Sequence, residues 1–307
     1  MRTRTDGSPS AAPIRTIPVR AALFAALGAA ALCAAPRAAA LDWPSADARL
    51  LSNFGQNETG RPMTGMVFAA EGTVRAADAG EVVFAHNLDD DAHGFPSPLG
   101  SWLAVDHGDG LVSVYGRMED FEEEVKKTLV EKSSVLGRAG TSGWSSGSGF
   151  YFSILDRKER RWVDPAMIAV SRGDAQPPVV RAAVLVAPDG TRIPLAKTRS
   201  IRQGTYRLVV EATDSEKGSS TSLAPQRIIL LVNGAEQGSL HLETIAAVDG
   251  ELRVNQRAPT PAAFVYRAVP GFDLGEARFL RGKATIELIV RDAAGNERTS
   301  SYSLLVE

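Results

Sequence analysis

Histidine is scarce in this 307-residue chain, which narrows the acid–base and metal chemistry open to it. The four present are His86, His93, His107 and His241. His86 and Asp90 stand in H-x-x-x-D spacing with His93 close by, so the segment from His86 to His93 holds the residue types of a small metal site. Ligands on one loop lack the rigid outer partners that tune a metal, and the segment reads as a solvated polar loop between two strands. His107 reads as a hairpin-turn residue and His241 as a strand side chain, neither with a partner that the sequence can name. Glu122-Glu-Glu124 with Lys126 and Lys127 reads as a solvated face or short helix. Trp102, Tyr115, Phe150 and Phe152 read as core positions of a sheet rather than a sugar-stacking platform.

The N-terminus has the pattern of a targeting segment. Arg2, Arg4, Arg15 and Arg20 precede an uncharged apolar run from Ala21 to Ala35, followed by Ala38-Ala39-Ala40, an A-x-A cleavage site. The run is shorter than the roughly 20 residues a bilayer span needs, so cleavage after Ala40 is expected, with export to the periplasm or cell envelope of a bacterium and no membrane span afterwards. Cys33, the single cysteine, leaves with this segment. Leu32 stands before it where lipid attachment wants a small residue. The expected mature chain then has no disulfide, thiol nucleophile or thiolate ligand, and its net charge is about −6 once five arginines and one aspartate are removed. A mildly acidic chain with no basic tract argues against nucleic acid as a partner.

These residues must be positioned by strands. Gly80 to Ala85, Ser101 to Asp106 and Leu111 to Tyr115 are short apolar runs with period-two alternation, and Asp106-His-Gly-Asp-Gly110 is a hairpin signal. The acidic stretch from Glu119 to Lys127 is the one helix candidate. Ser171 to Pro178 has neither apolar period nor bulk and marks a break. Beyond it, Thr205 to Thr213 and Ala284 to Arg291 alternate cleanly, and Asp292-Ala-Ala-Gly-Asn296 turns into a last strand. The reading is an all-β protein with a signal peptide at 1–40, one domain at 41–172 and a second at 178–307. Seven or more strands in the second fit a β-sandwich, and its final hairpin resembles those of immunoglobulin-like modules of bacterial envelope proteins.

Four blocks of the first domain resemble the LytM/lysostaphin-type zinc endopeptidases, which cut peptide cross-links in bacterial cell walls. Phe54-Gly55 resembles the family's entry motif, and Gly65 to Val83 its G-I-D-I-A-A-P-x-G-T strand pair. Gly100 to Met118 is similar to Y-G-x-x-V-x-I-D-H-G-x-G-x-x-T-x-Y-x-H-L. Gly140 to Ile154 is similar to G-x-T-G-x-S-T-G-P-H-L-H-F-E-I, and Val163-Asp-Pro165 to the usual end. The resemblance implies a zinc ion held by a His and an Asp four apart and by the second His of H-x-H, with two further histidines assisting proton transfer. Carried onto this chain, the ligand positions are Met63, Val67 and Tyr151, and the catalytic positions are Arg117 and Gly149.

A thioether is a weak zinc donor, valine and glycine side chains have none, and a guanidinium cannot shuttle a proton. The expectation is therefore a pseudo-peptidase with no zinc or other cofactor, which binds rather than cuts. Arg117 and Tyr151 become candidate groove residues for a carboxylate. The resemblance implies a regulatory role in peptidoglycan remodelling, with a cell-wall hydrolase or a peptidoglycan stem peptide as partner. Two alternatives stand beside it: a LytM-type zinc endopeptidase with rearranged ligands, and a passive envelope scaffold or adhesion module.

Overall fold

Strands carry this chain from end to end. The computed structural model describes residues 40–88, 97–122, 125 and 129–307. In the first lobe, β4 (Gly80–His86), β5 (Ser101–Asp106) and β6 (Leu111–Phe121) form an antiparallel meander. The turn at 106–110 closes by His107 N–H donating to Leu111 O (2.9 Å), with Gly108, Asp109 and Gly110 all at positive φ. β6 pairs on its other side with β9 (Gly149–Asp156), and β9 pairs with β2 (Met66–Ala69). Along β2 and β9 the side chains alternate. Met66, Phe68, Phe150 and Phe152 point into the core, where Phe68 stacks on Phe150 at 5.0 Å between centroids. Their odd-numbered neighbours face the other way.

The stretch from Glu119 to Lys127 begins as strand rather than helix. Glu119, Asp120 and Phe121 continue β6, pairing with β8 (Val135–Ala139), because Met118 and Phe121 are the apolar pair this stretch buries. Glu123, Glu124, Lys126 and Lys127 lie outside the described residues, as do Asp90, His93 and residues 1–39 of the segment expected to be cleaved. Tyr115, Phe150 and Phe152 are buried as expected. Trp102 is only half-buried and stacks on the exposed Phe84 at 4.3 Å, so it belongs to the outer face.

The second lobe has two sheets over a shared core. One holds β12 (Arg192–Pro194), β11 (Val179–Val186), β14 (Gly204–Thr213) and β19 (Phe272–Phe279) in that order. The other runs from β21 (Glu297–Val306) through β20 (Gly282–Arg291) and β15 (Arg227–Val232) to β16 (Ala235–Val248) and β17 (Glu251–Asn255). Tyr206, Leu208, Val210 and Ala212 of β14 and Ala284, Ile286, Leu288 and Val290 of β20 supply much of the core.

No strand or helix is assigned from 171 to 178, yet the lobes are not beads on a string. β10 (Arg161–Val163) pairs with β9 on one edge and with β16 on the other, so one sheet runs continuously from the first lobe into the second. Side chains lock this seam. The Asn57 amide donates to Tyr266 O (3.0 Å) and Gly271 O (2.8 Å), and the Tyr266 hydroxyl donates to Gly55 O (2.6 Å). Gly55, at φ +69°, lets Leu242 approach so closely that an added Cβ would sit 3.0 Å from its side chain. Buried Asp164 caps the 3-10 turn at Pro165–Met167 and receives a 2.7 Å hydrogen bond from Gln226. A spacer would leave the first lobe self-sufficient; here Leu242 and Tyr266 of the second cover it.

Candidate functional site

The sheet alternation decides which face each candidate residue occupies. Val67 lies opposite Tyr151, and Gly149 opposite Ala69, across the β2–β9 pair. Cross-strand partners share a face, so Val67, Tyr151 and Gly149 all stand on the side away from the Phe68–Phe150 core. Met63 is anchored just before β2 by two backbone bonds, donating to Gln56 O (3.1 Å) and accepting from Gly55 N–H (2.8 Å). Its neighbour Thr64 meets the Tyr151 hydroxyl at 3.1 Å. Gly65 makes room for that ring: a Cβ there would lie 2.5 Å from the Tyr151 Cζ.

Arg117 sits beside this group on a bulge of β6. Its neighbour Gly116 pairs with Tyr151, and its own amide donates to Leu99 O (2.5 Å). The backbone is in the left-handed region at φ +64°, an uncommon conformation for a residue with a Cβ. The guanidinium is half-buried, and its Nε is shielded from solvent with no hydrogen-bond partner among the described residues. Burial lowers its pKa, against smaller opposing pulls from Glu58 and Tyr151. Burial also raises the Tyr151 phenol above its ordinary value, while the Ser153 and Thr64 hydroxyls and the charge of Arg117 pull it back.

Val67, Tyr151 and Gly149 therefore share one face, with the Thr64–Tyr151 hydroxyl pair on it, the Arg117 guanidinium within electrostatic reach of Tyr151, and Met63 next to Thr64 in the chain. Gly149 fills a tight spot rather than an open slot. It exchanges both backbone hydrogen bonds with Gly140 (2.9 Å each), and a Cβ on it would fall inside the van der Waals shell of Phe68 O. The sequence model of Peptidase family M23 matches residues 61–165, the stretch that builds this surface. The chain belongs to peptidase family M23. Family M23 places the chain among peptidoglycan-related, hydrolase-like proteins. A second family model matches residues 177–307, a second domain at the C-terminus.

Among relatives, the M23 chain is 32% identical over 150 residues to an uncharacterized protein of Treponema pallidum (strain Nichols), covering 45% of this chain and 98% of that one. It is similar to the catalytic domain of a prophage-encoded M23 protein from Enterococcus faecalis, at 20% identity and a TM-score of 0.33, covering 43% of this chain and 94% of that one. Lysostaphin from Staphylococcus simulans gives 16% identity and a TM-score of 0.34, over 70% of this chain and 87% of that one.

Several residues of consequence escaped the sequence reading. His107 does have partners: Nδ1 lies 2.8 Å from Ala79 O and Nε2 lies 2.7 Å from Ser113 Oγ. Ser113 donates to the Tyr115 hydroxyl (3.0 Å), which accepts from Ala77 N–H (2.8 Å), so His107 pins the hairpin to the M23 core. His241 Nδ1 lies 3.7 Å from Glu243 on the second lobe, remote in sequence from the M23 blocks. Among the described residues, three acidic side chains come within metal-binding reach of one another at one place, Asp174, Asp214 and Asp292 at the seam. Their separation in sequence gave no signal.

Proposed function

We propose that the M23 domain of this chain is a non-catalytic binding module of the bacterial envelope, engaging a carboxylate-bearing wall stem peptide or acidic segment of a wall hydrolase. The observation that carries the reading is the half-buried Arg117 with an unpartnered Nε beside Tyr151. A shielded donor left without an acceptor is rare in native proteins, and a carboxylate matches its planar geometry.

The family's zinc is a poor fit to the residues present. Methionine offers a thioether, valine and glycine offer no donor, and burial favours the neutral form of the Tyr151 phenol over the phenolate that would ligate, outweighing the opposing Ser153, Thr64 and Arg117 contacts. An imidazole at position 149 would need the β2 backbone to move. The five positions offer no imidazole, carboxylate or thiolate to hold a zinc ion or to take a proton from water, so binding is the function their chemistry supports.

The test uses purified full-length chain with intact peptidoglycan. The reading predicts that it sediments with wall material and releases no peptide with or without added zinc, and that Arg117→Ala loses most of that binding without a lower melting temperature. Chelator-sensitive peptide release, or equal binding by Arg117→Ala, would contradict it.

A further inference from the structure

We propose that Asp174, Asp214 and Asp292 form a divalent-cation site of the calcium type, placed where the chain passes from the first lobe into the second. The site is independent of the reading given for the cleft. Asp174 belongs to the irregular segment between the lobes, Asp214 follows β14, and Asp292 follows β20. Topology brings one carboxylate oxygen from each within 4.8 Å of the others, and the oxygens that Asp214 and Asp292 contribute are buried.

Three carboxylates so close repel one another unless something positive joins them. Among the described residues, none of the three makes an ion pair with Lys, Arg or His. Arg172 lines the same cavity but is already committed, with Nε 2.6 Å from Glu216 Oε1 and an Nη donating to Ala48 O at 2.9 Å. Two of the carboxylates are oriented by hydrogen bonds that leave lone pairs free. Asp292 accepts from the Asn296 amide N–H and side chain, both at 2.8 Å, and Asp174 accepts from Gln176 N–H at 3.0 Å. The Asn296 side chain also donates to Asp174 O at 3.3 Å, tying the two loops together as outer partners of metal sites do.

A second observation points to a ligand. Asp214 Oδ1 is shielded from solvent and has no hydrogen-bond partner. An ionised carboxylate oxygen can only accept, so a proton or a cation must satisfy it.

The donor set selects the ion. All three donors are hard oxygens, with no imidazole or thiolate among them, and calcium accepts six to eight such ligands in flexible geometry. Magnesium needs a near-ideal octahedron, which three carboxylates on separate loops are not built to give. The adjoining cavity of about 230 Å³, also lined by Ser171, Ala293 and Ala294, leaves space for waters to complete the shell. Since Trp43, Leu50 and Met66 of the first lobe line that cavity too, an ion there would stiffen the seam.

The experiment is calcium chloride titration of the EDTA-treated full-length chain, followed by calorimetry and by thermal melting. One calcium per chain is expected, with a dissociation constant of about 1 mM or tighter and a melting temperature that rises with calcium. Asp214→Asn is nearly isosteric and should weaken binding about tenfold or more, with an unchanged or higher melting temperature in EDTA. Asp174→Asn, on the irregular segment, gives a second variant with the same expected loss. No saturable binding or calcium-dependent melting up to about 10 mM, or equal affinity in both variants, would overturn the site. A cluster stabilised by acid but not by calcium would show that the carboxylates share a proton instead.

Discussion

The cleft of the M23 domain and the acidic seam behind it invert what a family resemblance leads one to expect. At the cleft, where the resemblance implies metal ligands, a valine and a buried phenol share a sheet face, with a glycine beside them that tolerates no side chain. At the seam, no motif announces anything, yet three carboxylates converge around one shielded, unsatisfied oxygen. The difference teaches that backbone geometry persists where packing requires it, whereas chemistry follows the side chains actually present. Glycine at 149 is held by contact with β2, whereas arginine at 117 sits half-buried on a left-handed backbone with its Nε unpartnered among the described residues.

The sharpest way to break the comparison is to restore the family residue. Gly149→His forces a Cβ into the Phe68 carbonyl, and since overpacking alone costs about 1–3 kcal/mol with backbone displacement adding to it, roughly 4 kcal/mol of destabilisation is expected in denaturant melts. An unaltered melt would mean the cleft is more open than described. The seam should come next. Leu242→Ala removes a buried side chain packed on Gly55 and should cost about 3 kcal/mol. Because β10 joins both lobes through β16, calorimetry should show the two lobes unfolding in one transition; two separated transitions would argue for independent domains.

Asp164 gives a third, pH-dependent test. Burial, reinforced by Glu243, raises its carboxyl to about 6, although Gln226 and the Ala166 amide pull the other way. The folded state therefore holds a proton that the unfolded chain releases near pH 4. This contribution is fully present below about pH 4 and is lost as pH rises through about 6. Asp164→Asn keeps the neutral form at every pH, so its stability relative to wild type should improve by up to about 3 kcal/mol between pH 4 and pH 7.5. A flat difference across that range would contradict the assignment. The smallest effect on stability is expected at Arg117. Its φ of +64° suits glycine, so Arg117→Gly should stabilise by about 0.5–1 kcal/mol while abolishing wall binding. A variant both less stable and binding-competent would mean the arginine serves packing instead.

Much of this was legible beforehand, for identifiable reasons. β4, β5, β14 and β20 follow period-two patterns that a half-buried strand imposes, and the turn at 106–110 carries the glycines its positive φ angles need. The start of the Glu119–Lys127 stretch misled because its charges suggested a helix, whereas burial of Met118 and Phe121 extends β6. The seam was invisible. Asn57 and Tyr266 meet across the whole chain, β10 is three residues long, and Asp174, Asp214 and Asp292 come from separate connections. Only Asp292 had a local signal, at the head of its Asp-x-x-Gly-Asn turn, where two hydrogen bonds to Asn296 shape the loop. The unpaired Nε of Arg117 likewise depends on burial, which no spacing rule reports.

The claim that the cleft binds rather than cuts is tested most directly by measuring zinc in purified Asp214→Asn protein, a background that weakens the acidic seam as a competing site, after equilibration with zinc and gel filtration. The account predicts no zinc above background and no hydrolysis of wall peptides. One tightly held zinc per chain, lost on Tyr151→Phe and accompanied by peptide cleavage, would contradict it.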